Sequence, residues 1–198
     1  MFVAASGNGN FLGQGVDNDR APFYPAGYDS PNVIAVAASS FNDSLTSFSN
    51  FGAQSVDLAA PGAGIRSTEL GGGYGTRNGT SMATPHVAGT AALVWAAFPE
   101  ATVDEVRQAI ISTVDPIAAL AGKVKTGGRL NAGAAIIANV FAPAARLVSK
   151  QDITRINGTS ATFTVEYRHR SGIRLTTVNG DDLVVTRQWG QRKMLRLG

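Results

Sequence analysis

Three short apolar runs constrain this chain most: Phe2–Ser6, Val33–Ala38 and Val56–Ala59. The middle run contains no polar residue, and the other two are nearly continuous. Runs of this length without polar alternation read as strands buried on both faces, the habit of a parallel sheet with helices packed on either side. The first run stops at Gly7-Asn8 and the third at Pro61-Gly62, both turn-forming pairs. Between the runs, residues 9–32 are rich in Gly, Asn, Asp and Pro and read as a long loop, residues 39–55 as irregular, and Gly71-Gly72-Gly73 as a flexible turn.

Helical patterns follow the strands. From Thr80 to Phe98 the residues are small and apolar nearly all round, which predicts a deeply buried helix. Thr102, followed three residues later by Glu105, forms a capping box that predicts a helix over Thr102–Thr113, with Val103, Val106, Ile110 and Ile111 on its inner face. A third helix is predicted over Leu130–Val140, after the Gly127-Gly128 break. Beyond Pro143 the pattern changes to alternation. Phe163, Val165 and Tyr167 face one way and Thr162, Thr164 and Glu166 the other, with further strands predicted over Ile173–Thr177 and Leu183–Thr186. The expected fold is therefore α/β, with a parallel sheet in an α/β/α arrangement and a buried helix, followed by a small antiparallel β segment.

Charge divides the chain at nearly the same place. Residues 1–145 carry 7 Lys and Arg against 10 Asp and Glu, whereas residues 146–198 carry 10 against 4. Two segments are expected, 1–140 and a basic β-rich module over 141–198 that is possibly short of a complete sheet. Ten basic residues in the second segment invite an acidic partner, but no aromatic-basic platform or nucleic-acid motif accompanies them, so no nucleic acid is expected. The absence of any apolar run of about 18 residues predicts no membrane span. Without cysteine there are no disulfides and no Cys-ligated metal. The first residues do not have the form of a signal peptide.

The chemistry concentrates in Gly79-Thr80-Ser81-Met82-Ala83-Thr84-Pro85-His86-Val87-Ala88-Gly89. A nucleophilic serine needs an exposed oxygen, a rigid mount and nearby N–H groups for an oxyanion. The start of a helix offers all three, because its first N–H groups lack intrahelical partners and its dipole favours negative charge. Gly79 allows a substrate backbone to come close. Pro85 lacks the N–H that would bond the Ser81 carbonyl, which loosens the first turn. On physical grounds alone, a serine at a helix N-terminus is far more often a plain cap than a nucleophile.

The eleven-residue string resembles, residue for residue, the serine-bearing signature of the subtilisin family of serine peptidases. Ala4-Ala5-Ser6-Gly7-Asn8 resembles the family segment that carries an oxyanion-hole asparagine. Phe23-Tyr24-Pro25-Ala26, Asn32–Ala37, Ser47–Gly52 and Val56–Gly62 are similar to successive family segments, so the resemblance covers about residues 1–140. It implies a partial subtilisin-like domain that hydrolyses peptide bonds through an acyl-enzyme on Ser81, with Asn8 as oxyanion donor. Ser6, Gly7 and Tyr24 would wall the pocket for the side chain before the cut bond, beside Gly79. The implied substrate is a protein or peptide, no cofactor is required for the chemistry, and secretion follows from family habit.

Two features stand apart from that pattern. The family's order is Asp, His, Ser, yet only seven residues precede Asn8, and neither Asp-Thr/Ser-Gly nor His-Gly-Thr-His occurs. The expectation is that the N-terminal half of the peptidase domain lies outside this chain. The fragment alone would then be inactive and poorly soluble, its sheet edge uncovered. The alternative is a catalytically inactive remnant that binds peptides or partners. His86 is not expected to be the missing base: it belongs to the signature itself, lies on another face of the helix and is predicted to point inward. His169 matches nothing in the family. Asp17-Asn18-Asp19 clusters oxygens suited to a structural calcium ion or to a solvated loop. The sequons at Asn78 and Asn157 are read as coincidental.

Overall fold

A computed structural model of the chain describes residues 1–138, 144–150, 163–168, 184–186 and 192–194. The chain divides into two compact units, Met1–Phe141 and Ala142–Gly198.

The first unit is built on a five-stranded sheet of order β1-β2-β3-β7-β6. Strands β1 (Phe2–Ala5), β2 (Val33–Ser39), β3 (Leu58–Pro61) and β7 (Gly128–Arg129) run parallel, and β6 (Asp115–Pro116) pairs antiparallel with β7. Strand β2 lies between β1 and β3, and its polar-free run is buried on both faces. Ile34, Val36 and Ala38 face one core with Leu58 and Ala60, while Ala35 and Ala37 face another with Ala4, Val56 and Leu120. The expected third strand is displaced by two residues. Val56 and Asp57 bond to Lys125 and Ala35 ahead of the ladder, and pairing with β2 runs from Leu58 to Pro61.

Helix α1 (Thr80–Ala97) crosses one face of this sheet, with α2 (Val103–Ile111) and α3 (Ala132–Ile136) beside it. Thr102 forms the expected capping box with Glu105 at the start of α2. The third helix is shorter than the expected Leu130–Val140 and starts where the Asn131 side chain accepts from the Ala134 N–H. The expectation of all-round burial for α1 is corrected. Thr80, Ala83, Val87, Thr90, Ala91 and Val94 are buried against the sheet, while Ser81, His86 and Leu93 on other faces are exposed. Small apolar residues permit burial on every side, but burial also needs a neighbour, and no described residue covers the outer face. Strands β4 (Ile65–Thr68) and β5 (Tyr74–Arg77) form an antiparallel hairpin that leads into α1 and was not anticipated. Its residues are mostly exposed and polar, and only the glycine turn between them was marked in the sequence.

In the second unit, β8 (Ala144–Lys150) pairs antiparallel with β9 (Phe163–Arg168), and β10 (Val184–Thr186) with β11 (Arg192–Met194). The strand expected over Ile173–Thr177, together with His169 and Asn157, lies outside the described residues. Among the described residues, no helix is long and apolar enough to cross a membrane.

Candidate active site

Ser81 is the second residue of α1, and it is exposed. The helix carries no cap from its own preceding residue, Gly79, whose φ of 154° is one that side-chain-bearing residues rarely adopt. The cap comes instead from 72 residues away: the Asn8 Oδ1 accepts from the Thr80 N–H at 2.8 Å and from the Thr80 hydroxyl at 2.9 Å. The Gly79 carbonyl accepts from the N–H groups of Met82 and Ala83. Of the first four N–H groups of α1, that of Ser81 alone makes no hydrogen bond among the described residues.

The same bonds orient the Asn8 carboxamide. A backbone N–H can only donate, so the atom facing Thr80 must be the oxygen, and the Nδ2 donor is turned away. Nδ2 makes no hydrogen bond among the described residues, and Asn8 is exposed. The start of α1 therefore presents a hydroxyl, a free backbone N–H and a free carboxamide N–H on neighbouring residues. Such an arrangement suits stabilisation of an oxyanion on a carbonyl carbon attacked by Ser81.

Two close approaches brace this end of the helix. The Gly79 N–H donates to the Gly62 carbonyl at 2.8 Å. A Cβ on Gly62 would lie 2.8 Å from the Gly79 oxygen and 2.5 Å from the Ala38 side chain, so the loop after β3 can cross here only as glycine. A Cβ on Gly79 itself would lie 3.4 Å from the Asn8 Nδ2.

The remaining sequence-nominated residues occupy varied places. Gly7 is buried at φ 108°, and its N–H reaches the Thr80 hydroxyl at 3.3 Å. Ser6 is fully buried, and its hydroxyl donates to the Asn50 carbonyl, so its side chain is engaged within the core. Tyr24 is exposed and packs on Tyr28 at 4.7 Å between ring centroids. His86 is exposed, which corrects the expectation that it points inward. Its ring Nδ1 lies 2.9 Å from the Met82 carbonyl one turn earlier, a bond made within its own helix.

The side chains of Asp17, Asn18 and Asp19 turn to separate partners. Asp17 pairs with Arg20 at 3.5 Å. Asn18 is buried against Ser6 and Asn50. Asp19 accepts from the Gln54 and Ser55 N–H groups and the Ser55 hydroxyl. Partial burial raises the Asp19 carboxyl, but the bonds from Ser55, Gln54 and Ala53 outweigh it and leave the group below its ordinary value. Among the described residues, no group of three or more His, Cys, Asp and Glu side chains could hold a metal.

Sequence reasoning overlooked Thr80 and Asn50 as contributors. Thr80 was visible only as a neighbour of Ser81. Asn50 lay in a loop whose composition suggests solvent, yet it is 3% exposed.

Residues 1–142 match the model of the subtilase family, Peptidase_S8. The chain is 43% identical over 136 residues to thermitase of Thermoactinomyces vulgaris, covering 69% of this chain and 44% of that protein. It is 50% identical over 113 residues to subtilisin E of Bacillus subtilis, covering 57% of this chain and 28% of that protein. Among solved structures it is similar to the A-subunit of the AB5 toxin from E. coli, with a TM-score of 0.59 and 30% identity, covering 69% of this chain and 50% of that one. A protease of Pseudoalteromonas arctica aligns at a TM-score of 0.58 and 33% identity, covering 67% of this chain and 41% of that one. The chain thus spans half or less of the length of these relatives. It belongs to the subtilase family and holds part of that family's catalytic domain.

Proposed function

We propose that this chain supplies the nucleophile and oxyanion-binding half of a serine endopeptidase that cleaves proteins or peptides. The observation that carries the reading is the pairing of a free Ser81 N–H with an Asn8 carboxamide locked by Thr80 so that its donor is unspent. In this reading the Ser81 hydroxyl attacks the scissile carbonyl and loses its proton to a base from outside this chain. The negative oxygen of the tetrahedral intermediate is received between the Ser81 N–H and Asn8 Nδ2. Collapse expels the leaving amine, and water then releases the acyl group from Ser81. No cofactor enters these steps. Extracellular action is part of the proposal and rests on family resemblance.

The test is proteolysis of an unfolded protein by a product that joins this chain to the rest of a peptidase domain. Ser81→Ala should abolish cleavage, and Asn8→Ala should lower kcat by about 10²–10³, the range found when such a donor is removed from a subtilisin. Cleavage unchanged by Ser81→Ala overturns the reading. A second reading, a non-catalytic module that binds peptides, is favoured by the His86 ring, which is held by its Nδ1 against the Met82 carbonyl of its own helix and makes no hydrogen bond to Ser81 among the described residues. A serine-reactive phosphonate separates the two, because labelling at Ser81 requires an activated hydroxyl.

A further inference from the structure

We infer that Asn50 is a positioning residue for Asn8: it fixes the backbone on both flanks of the oxyanion donor and so sets where the Asn8 carboxamide points. The inference rests on the proposed peptidase reading and deepens it.

Asn8 sits between two glycines in left-handed conformations, Gly7 at φ 108° and Gly9 at φ 84°. Such a turn has many accessible conformations when free, so something must select one. Asn50 meets both sides of it. Its N–H donates to the Gly7 carbonyl at 2.9 Å, and its side-chain Oδ1 accepts from the Gly9 N–H at 2.8 Å. The same Oδ1 accepts from the Val16 N–H at 3.0 Å, which draws in the return arm of the loop.

The carboxamide of Asn50 is itself held. Its Nδ2 donates to Asn18 Oδ1 at 3.0 Å, and Asn18 Nδ2 donates onward to the Ser6 carbonyl at 2.8 Å. Two buried amides, 2% and 3% exposed, thereby tie Ser6, Gly7 and Gly9 into one network. The fit is close: a Cβ on Gly7 would lie 2.5 Å from Asn50 Nδ2. A buried side chain that accepts from the turn through its oxygen and donates to Asn18 through its nitrogen must be a carboxamide, since serine is too short and aspartate has no donor for Asn18. Thr80 fixes the tip of Asn8, and Asn50 fixes its base.

A double-mutant cycle in a product that joins this chain to the rest of a peptidase domain tests the coupling. Asn50→Ser should lower kcat by about tenfold or more, within the ceiling set by losing the donor itself, and leave KM nearly unchanged. In an Asn8→Ala background the same substitution should cost less than about twofold, because the group it positions is gone. An equal loss in both backgrounds would mean a merely structural residue and overturn the inference.

Amide hydrogen exchange on the unsubstituted protein tests the clamp without relying on any variant to fold. Gly9 and Val16 should be protected to the level of the β2 core, and exchange at the rate of open loop amides overturns the clamp. If the parent protein shows no turnover at all, the peptidase reading fails separately, and the exchange result still decides the clamp.

Discussion

The two faces of α1 are drawn from similar residues and end in opposite surroundings. Toward the sheet, Val87 and Val94 are fully buried against β2 and β3. On the other side, Leu93 is 54% exposed and stands one residue from Val94. Neighbouring positions with similar side chains thus differ in everything but composition. Hydrophobic stabilisation follows area removed from water, and only the sheet-facing side has a neighbour to remove it.

The sharpest way to break this comparison is to place the same charge at each position. Val94→Lys forces an ammonium into a site with no solvent and should cost at least about 3 kcal/mol, enough to abolish cooperative folding of the first unit. Leu93→Lys should change stability by no more than about 0.5 kcal/mol. Thermal melts followed by circular dichroism read both. Equal damage at the two positions would show that the outer face of α1 is covered by something, such as a second copy of the chain.

What was legible beforehand follows the same division. The polar-free run Val33–Ala38 announced a strand buried on both faces, and the Thr102/Glu105 spacing announced the start of α2. Both signals are local, and local signals survive translation into structure. The string around Ser81 and the Asn8 turn were visible as patterns. The exposed side of α1 was not visible, because an all-apolar helix says which faces tolerate burial and not which receive it. Asn50 was missed for a different reason. Its partners Gly9 and Val16 lie 41 and 34 residues away, and an asparagine in a Ser/Asn-rich loop has no local mark that separates a buried clamp from a solvated turn. The hairpin before α1 was missed because exposed polar strands lack the apolar run that reveals β2.

A buried ion pair provides the next test of what the covered side demands. The Arg107 guanidinium of α2 lies 2.8 Å from Asp57 at the foot of β3, and the other Asp57 oxygen accepts from the Ala35 N–H of β2. Burial holds the Asp57 carboxyl above its ordinary value of 3.8, against the Ala35 hydrogen bond and the Arg107 charge. For a carboxyl with a raised folded value, the contribution to stability is fully present below pH 3.8 and is lost as pH rises through the folded value. Arg107 limits that loss. Arg107→Met should therefore cost about 2–3 kcal/mol at neutral pH, and the deficit should shrink as pH falls and Asp57 takes up a proton. Urea melts at a series of pH values measure this, and a deficit independent of pH would mean that the pair acts through packing alone.

The smallest effect concerns two serines near the C-terminal end of β2, and it has opposite signs at the two. Ser49 and Ser39 are both 1% exposed. The Ser49 hydroxyl accepts from the Ala38 N–H and donates to the Asn50 carbonyl, each at 2.9 Å. The Ser39 hydroxyl is buried with no hydrogen-bond partner among the described residues. A buried hydroxyl that keeps its partners offsets its desolvation, whereas one without partners only incurs it. Ser49→Ala should destabilise the first unit by about 1–2 kcal/mol, and it should also loosen the loop that carries Asn50. Ser39→Ala should stabilise it by up to about 1 kcal/mol, a rise of about 3 °C in Tm for a unit of this size. The sign decides the matter more than the size: a lower Tm for Ser39→Ala would mean that this hydroxyl has found a partner, such as an enclosed water, and that the covered side of the sheet tolerates buried polar atoms only when they are paired.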